Sequence, residues 1–196
     1  MDFEKRDRAD VKRAMDLLLA VAAAVPLLPV ALIVALAVRL TSPGPALYWS
    51  DRVGRGSRVF RMPKFRSMKT DTPAVPTHLM VDAASALTPI GSFLRRTSLD
   101  EIPQLWSVFV GDMSIVGPRP ALFNQHDLIA LRREAGVDVL RPGITGWAQI
   151  NGRDELSIPA KVAFDSEYLE RRSTLFDLRI MVSTAAKLLG DRTVTH

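Results

Sequence analysis

Cysteine is absent from the 196 residues. Disulfides, zinc–thiolate centres and thiol nucleophiles are thereby excluded, and a reducing compartment is compatible with the chain without being required by it. Histidine is scarce: His78, His126 and His196 stand far apart, with none at metal-ligand spacing. Several catalytic signatures are missing too. There is no Gly-x-Ser-x-Gly elbow, no Gly-x-Gly-x-x-Gly turn and no phosphate-cradling loop ending in Gly-Lys-Ser/Thr. Internal repeats, low-complexity tracts and interdomain linkers are also lacking, so residues 1–196 are expected to form a single domain. Carboxylates and basic side chains are left as the chemical tools.

Apolar residues make up 47% of the chain and charged residues 24%, with a formal net charge of +5. Such a chain can bury a core and is not disordered. The charge is unevenly spread. Arg52, Arg55, Arg58, Arg61, Lys64, Arg66 and Lys69 follow one another with no acidic residue between them. A run of this kind suits an anionic partner, whether phosphate, acidic lipid headgroup or nucleic acid, although a solvated basic face has the same composition.

From Leu17 to Val38 no residue is charged. As a straight helix this run would measure roughly 33 Å, enough to cross a bilayer core of roughly 30 Å. Pro26 and Pro29 interrupt it, each without an N–H and each opposed to the carbonyl four residues back. Lys5, Arg6, Arg8, Lys12 and Arg13 precede the run and basic residues follow it, so both flanks favour the cytoplasmic side. A re-entrant hairpin over residues 12–40, broken near Pro26 and Pro29, satisfies both demands. A kinked span and a buried soluble helix are the alternatives. A nucleic-acid binder is disfavoured, because the apolar run would be a liability in a soluble protein.

The remainder, residues 41–196, reads as a mainly α domain with small β elements (α+β). Ala46–Trp49 and Ser57–Phe60 around Gly54-Arg55-Gly56 suggest a short hairpin. Residues 71–78, with two prolines, suggest a loop. Helices are expected over Ile90–Arg96, from Leu99 or Pro103 onward, and over Gln125–Ala135, Pro159–Arg172 and Leu175–Leu189. In the second, Ile102, Leu105, Trp106, Phe109 and Val110 recur at helical spacing, which is ordinarily a core stripe. The last could pack on the domain or lie in a membrane interface. Gly117–Pro120 and Arg141–Gly146 read as irregular Pro/Gly loops.

The cluster that could carry chemistry is Arg95-Arg96-Thr97-Ser98-Leu99-Asp100-Glu101-Ile102-Pro103. Ser98 and Glu101 have the spacing of a capping box, which would make the acids merely structural. The other reading is phosphoryl chemistry: one carboxylate attacks phosphorus, its neighbour holds Mg²⁺, and arginines neutralise the phosphate. Lys64-Phe65-Arg66 and Gly117-Pro118-Arg119-Pro120, the latter fixing an arginine between two rigid rings, are ambiguous taken singly.

Taken in order, the segments resemble the bacterial sugar transferase family, the monotopic polyprenyl-phosphate phosphoglycosyl transferases. They are Lys12-Arg13 with Asp16, Lys64-Phe65-Arg66-Ser67-Met68, Thr97 to Leu105, Gly111-Asp112-Met113-Ser114, Val116 to Pro120, Arg141 to Trp147, and Gln149 to Arg153. They cover the chain from about residue 11 to 190. Some members carry Ser-Pro at the membrane bend, where this chain has Leu28-Pro29. The resemblance implies a minimal form of the family, with a re-entrant helix, interfacial amphipathic helices and a compact catalytic region at the cytoplasmic face of a bacterial inner membrane. It implies transfer of a sugar 1-phosphate from a UDP-sugar to undecaprenyl phosphate through a phosphosugar on Asp100, with release of UMP. Glu101, with Asp100, would hold Mg²⁺. Lys64, Arg66, Arg95 and Arg153, together with Pro118, Arg119 and Pro120, would surround the phosphates and nucleotide. A membrane-anchored binder of anionic lipid or nucleotide, without chemistry, is the competing function.

Overall fold

In a computed structural model describing residues 2–72, 84–152 and 155–190, the apolar run forms the middle of one helix, α1 (Asp2–Thr41). The expected hairpin is not confirmed: Pro26 and Pro29 both lie inside this one helix. The reason is packing on both sides of the prolines. Ala20 is buried with Met62, Val108 and Met113, while Val34 and Val38 are buried with Phe65 and Leu94. Both prolines sit on the outward, exposed side, where a lost backbone hydrogen bond disturbs no packed contact. Each costs about 3 kcal/mol in a helix interior, and full burial of a single valine returns about 1.5–3 kcal/mol.

Polar contacts dock the two ends of α1. Lys12 Nζ lies 2.7 Å from Asp177 Oδ2. Arg13 donates to the carbonyls of Val108 and Phe109 at 2.7 and 2.9 Å. Asp16, 1% exposed, accepts from the Ser114 hydroxyl at 3.0 Å and the Ile115 amide at 3.1 Å. At the far end Arg39 donates to the Gly44 carbonyl at 2.6 Å. The opposite face is bare: Leu18, Val25, Leu28, Leu32, Leu36 and Leu40 are all exposed. Among the described residues α1 is the one helix long and apolar enough to cross a membrane. An apolar face of that length is stable against lipid and costly against water.

After the turn at 42–46 the chain makes the hairpin β1 (Leu47–Val53) and β2 (Val59–Phe65), antiparallel from Leu47↔Phe65 to Val53↔Val59. It is longer than its sequence suggests, because strand alternation continues through charged positions: buried Ser50 and Met62 share a face with Arg52 and Lys64. Strand β4 (Ala121–Leu122) extends the sheet along β1.

Helix α2 (Gly91–Arg96) leads into a 3-10 segment, Leu99–Gln104, and helix α3 (Leu105–Val110). The capping box does not form. Ser98 adopts a left-handed backbone, φ 55°, and its side chain caps nothing. The apolar stripe also divides: Ile102, Leu105 and Phe109 pack on the core, whereas Trp106 and Val110 are exposed.

The second Pro/Gly loop is partly strand, whereas Gly117–Pro120 is irregular as expected and directly follows a strand. Strands β3 (Ser114–Val116) and β5 (Gly143–Thr145) pair in parallel. Gly117 donates to the Thr145 carbonyl and Gly143 to that of Pro118, both at 2.9 Å. A Cβ on Gly117 would lie 2.3 Å from the Arg141 carbonyl oxygen, so side-chain-free backbone is required at this crossing.

Helices α4 (His126–Glu134), α5 (Trp147–Ile150), α6 (Ile158–Arg171) and α7 (Thr174–Gly190) complete the domain. Ser157 caps α6, accepting from the Ala160 amide at 3.4 Å, and Pro159 lies in its first turn. Phe176 and Ile180 of α7 join Val116 and Tyr168 in a cluster, leaving Leu175, Leu178 and Val182 exposed. Residues 73–78 of the expected loop lie outside the described residues.

Asp16→Ala strands the Ile115 amide and the Ser114 hydroxyl in a buried place. The expected loss is about 1–3 kcal/mol, read as a lowered unfolding midpoint in detergent, whereas Asp10→Ala, at an exposed position of the same helix, should leave the midpoint unchanged.

Candidate active site

The carboxylates come from the 3-10 segment. The left-handed turn at Ser98 reverses the chain after α2, and two residues later Asp100 points inward, 7% exposed. A non-glycine residue with positive φ is uncommon and is tolerated where the surrounding structure over-determines it. Beside it, β2 presents Lys64, whose neighbours Pro63 and Phe65 are buried. Strand register therefore lays the Lys64 stem along the sheet and brings its ammonium to the segment.

The ammonium stands 2.8 Å from Glu101 Oε1 and 4.0 Å from Asp100 Oδ2. Arg119 Nη2 reaches the same Glu101 oxygen at 3.2 Å. One glutamate oxygen is thus shared by two cations, and the aspartate borders the pair. Lys64, Asp100 and Glu101 side chains are only 10–15% exposed, so their charges act in a medium of low dielectric. Burial pushes the Asp100 carboxyl above its ordinary 3.8; Lys64 opposes this and Glu101 adds to it, while Arg95 and Arg119 pull the other way. The Lys64 ammonium is lowered, by burial first, with Glu101 opposing. A carboxylate held at raised energy beside fixed cations, in a partly closed place, has the physical character of a nucleophile.

Of the residues singled out from the sequence, the structure brings Lys64, Asp100, Glu101 and Arg119 into contact and sets Arg95 within electrostatic reach. Pro118 and Pro120 are buried on either side of Arg119. Arg66 goes elsewhere. It is 5% exposed and donates to the Ser42 carbonyl and hydroxyl at 3.0 and 2.9 Å, and to the Pro43 carbonyl, tying the end of α1 to the sheet. Arg153 lies outside the described residues.

For a divalent cation the protein offers little by itself. Among the described residues, no three His, Asp or Glu side chains gather as a metal set. Asp100 and Glu101 could supply at most two carboxylates, the remaining positions falling to phosphate oxygens and water. That division suits Mg²⁺, which keeps several waters and is usually held through one or two carboxylates plus substrate phosphates.

Sequence reasoning passed over a second tier of buried polar groups. Asp165 is 1% exposed and paired with Arg132 at 2.7 Å. Asp177 accepts from the Tyr168 hydroxyl at 2.7 Å as well as from Lys12. A signal existed for both. Asp165 falls on the α6 face that buries Val162 and Tyr168, and Asp177 precedes Leu178 and follows Phe176 in an apolar helix; a carboxylate on an apolar face is retained only when partnered.

The docked apolar helix, the carboxylate pair bridged by lysine and the proline-fixed arginine occur together in one domain. The family model described as bacterial sugar transferase matches residues 7–191, and the chain belongs to that family. It is 41% identical over 190 residues to the UDP-glucose:undecaprenyl-phosphate glucose-1-phosphate transferase of Xanthomonas campestris pv. campestris, covering 93% of this chain and 39% of that protein. It is 34% identical over 190 residues to a UDP-N-acetylgalactosamine-undecaprenyl-phosphate N-acetylgalactosaminephosphotransferase of Aeromonas hydrophila, covering 92% of this chain and 44% of that protein. It is 37% identical over 190 residues to the exopolysaccharide production protein PSS of Rhizobium leguminosarum bv. phaseoli, covering 91% of this chain and 95% of that protein. The chain thus spans about two fifths of the first two relatives and nearly all of the third.

The raised Asp100 pKa has a sign that stability measurements can read. Between 3.8 and the raised value the folded chain holds a proton that the unfolded chain has released, so this residue's contribution to stability is lost as pH rises through that window. Asp100→Asn, which does not ionise, is expected to melt above the wild type at neutral pH, the gap closing at pH values below 3.8. A lower melting temperature at neutral pH would contradict a burial cost at this position.

Proposed function

We propose that the chain transfers a sugar 1-phosphate from a UDP-sugar to undecaprenyl phosphate, with Asp100 as the covalent nucleophile. The observation that carries this is the buried Asp100 carboxylate, 4.0 Å from the Lys64 ammonium, beside a Glu101 already held by Lys64 and Arg119. The names of the relatives support the substrate classes, since two of the three specify a UDP-sugar and undecaprenyl phosphate.

In the first step an Asp100 oxygen attacks the phosphorus that bears the sugar. The bond from that phosphorus to the oxygen bridging the two phosphates breaks, UMP leaves with the electron pair, and an acyl phosphate remains on Asp100. In the second step a phosphate oxygen of undecaprenyl phosphate attacks the same phosphorus, the acyl–oxygen bond to phosphorus breaks, and Asp100 returns as carboxylate. No oxidant or net proton is needed, and transfer potential is kept through diphosphate, acyl phosphate and diphosphate again. Lys64 and Arg119, already fixed on Glu101, would balance charge on the phosphates, with Arg95 adding to the local positive field. Arg66 is occupied at the end of α1, and the proposal gives it an anchoring role. Mg²⁺, held by Asp100 and Glu101 with phosphate oxygens, would neutralise the diphosphate when bound.

The bare face of α1 would rest in lipid, placing the dyad, in which Ile102 and Pro103 follow Asp100-Glu101 against α1, near the acceptor's chain. Orientation toward the cytoplasm follows from the basic flanks. The alternative, a binder without chemistry, gives no role to a costly buried carboxylate.

Incubation with a panel of UDP-sugars and Mg²⁺, without acceptor, should add one phosphosugar mass to the intact protein and release UMP. Asp100→Asn should abolish both, a loss on the order of 10³-fold or more, and chelation with EDTA should stop turnover of the wild type. If no donor in the panel yields adduct or UMP, or if Asp100→Asn works at the wild-type rate, the reading fails.

A further inference from the structure

The main chain at Arg119 and Pro120 is held by two other arginines. Arg132 of α4 donates from Nη1 to the Arg119 carbonyl at 2.8 Å, while its Nε and Nη2 both bind Asp165 Oδ2, at 2.9 and 2.7 Å. Arg52 of β1 donates from Nη1 to the next carbonyl, that of Pro120, at 3.2 Å. Consecutive carbonyls are therefore each taken by a cation from a different element, and the guanidinium of the residue between the two prolines reaches Glu101. All three faces of the Arg132 fork are used in one plane, which a lysine cannot reproduce.

The pair beneath this contact is expensive. Asp165 is almost wholly buried, and burial pushes its carboxyl above the ordinary range against the pull of Arg132. A buried ion pair is weak support for stability, because desolvation consumes much of the attraction. Burying one below an active loop is therefore better explained by placement than by stability alone.

We infer that Arg132 and Asp165 are positioning residues, clamping the main chain at Arg119 so that its guanidinium holds Glu101 beside Asp100. The inference rests on the proposed function for its catalytic consequence, and its structural part stands apart from it.

The test uses the full chain in detergent. Arg132→Lys keeps a charge opposite Asp165 but cannot also span to the Arg119 carbonyl. It should keep the unfolding midpoint within a few degrees, slow adduct formation on Asp100 by about 10- to 100-fold, and quicken amide exchange at Arg119 and Ala121. In an Arg119→Ala background the same change should cost less than about two-fold, because residues acting as one unit are non-additive. Asp165→Asn serves as the second variant should Arg132→Lys fail to fold. A full, additive penalty in the Arg119→Ala background, or unchanged exchange at 119–121, overturns the clamp. Absence of adduct in the wild type counts against the proposed function, and the exchange result then decides the clamp by itself.

Discussion

The interaction on which the site depends is the sharing of one Glu101 oxygen by Lys64 and Arg119. Two adjacent carboxylates in a low-dielectric place repel each other and resist ionisation. Cations beside them reduce that cost, with the Lys64 ammonium 4.0 Å from Asp100. Lys64 lowers the Asp100 pKa that burial raises, so the lysine's position sets how far the carboxyl departs from its ordinary value. Strand register on β2, the left-handed turn at Ser98 and the proline-flanked arginine each contribute one coordinate of that balance.

Each of these coordinates is anchored in the core. Lys64 stands between Pro63 and Phe65, and Phe65 packs on Val34 and Val38 of α1. Asp16 of the same helix holds the start of β3, whose end leads directly to Arg119. The apolar helix is therefore part of the domain's core, and any shift of α1 is transmitted to both cations by packed contacts. Dense interiors carry displacement in this manner because they have few voids to absorb it.

Much of the site was legible in the chain. Asp100, Glu101, Lys64 and Arg119 could be named from short segments because chemistry restricts which residues can attack or balance a phosphate, and because the segments occur in a fixed order. Arg66 was less legible: two residues after Lys64 and just past the end of β2 at Phe65, it turns to the end of α1. Strand alternation alone would put positions 64 and 66 on one face, and the divergence arises because β2 ends between them. Arg132 and Asp165 belong to separate helices, and local spacing contains nothing that joins them.

By itself the sequence determined the apolar run, the mainly helical order of elements, the hairpin and the identity of the acidic pair, since these follow from composition, periodicity and residue chemistry within a few positions. Only the tertiary structure decided that Pro26 and Pro29 lie inside one helix, that the Arg141–Gly146 loop pairs as a parallel strand with Ser114–Val116, and that Ser98 turns left-handed instead of capping a helix. Each of those outcomes depends on contacts between residues distant in the chain. Long-range packing can outweigh a local preference of a few kcal/mol, and its partners are not written in any one segment.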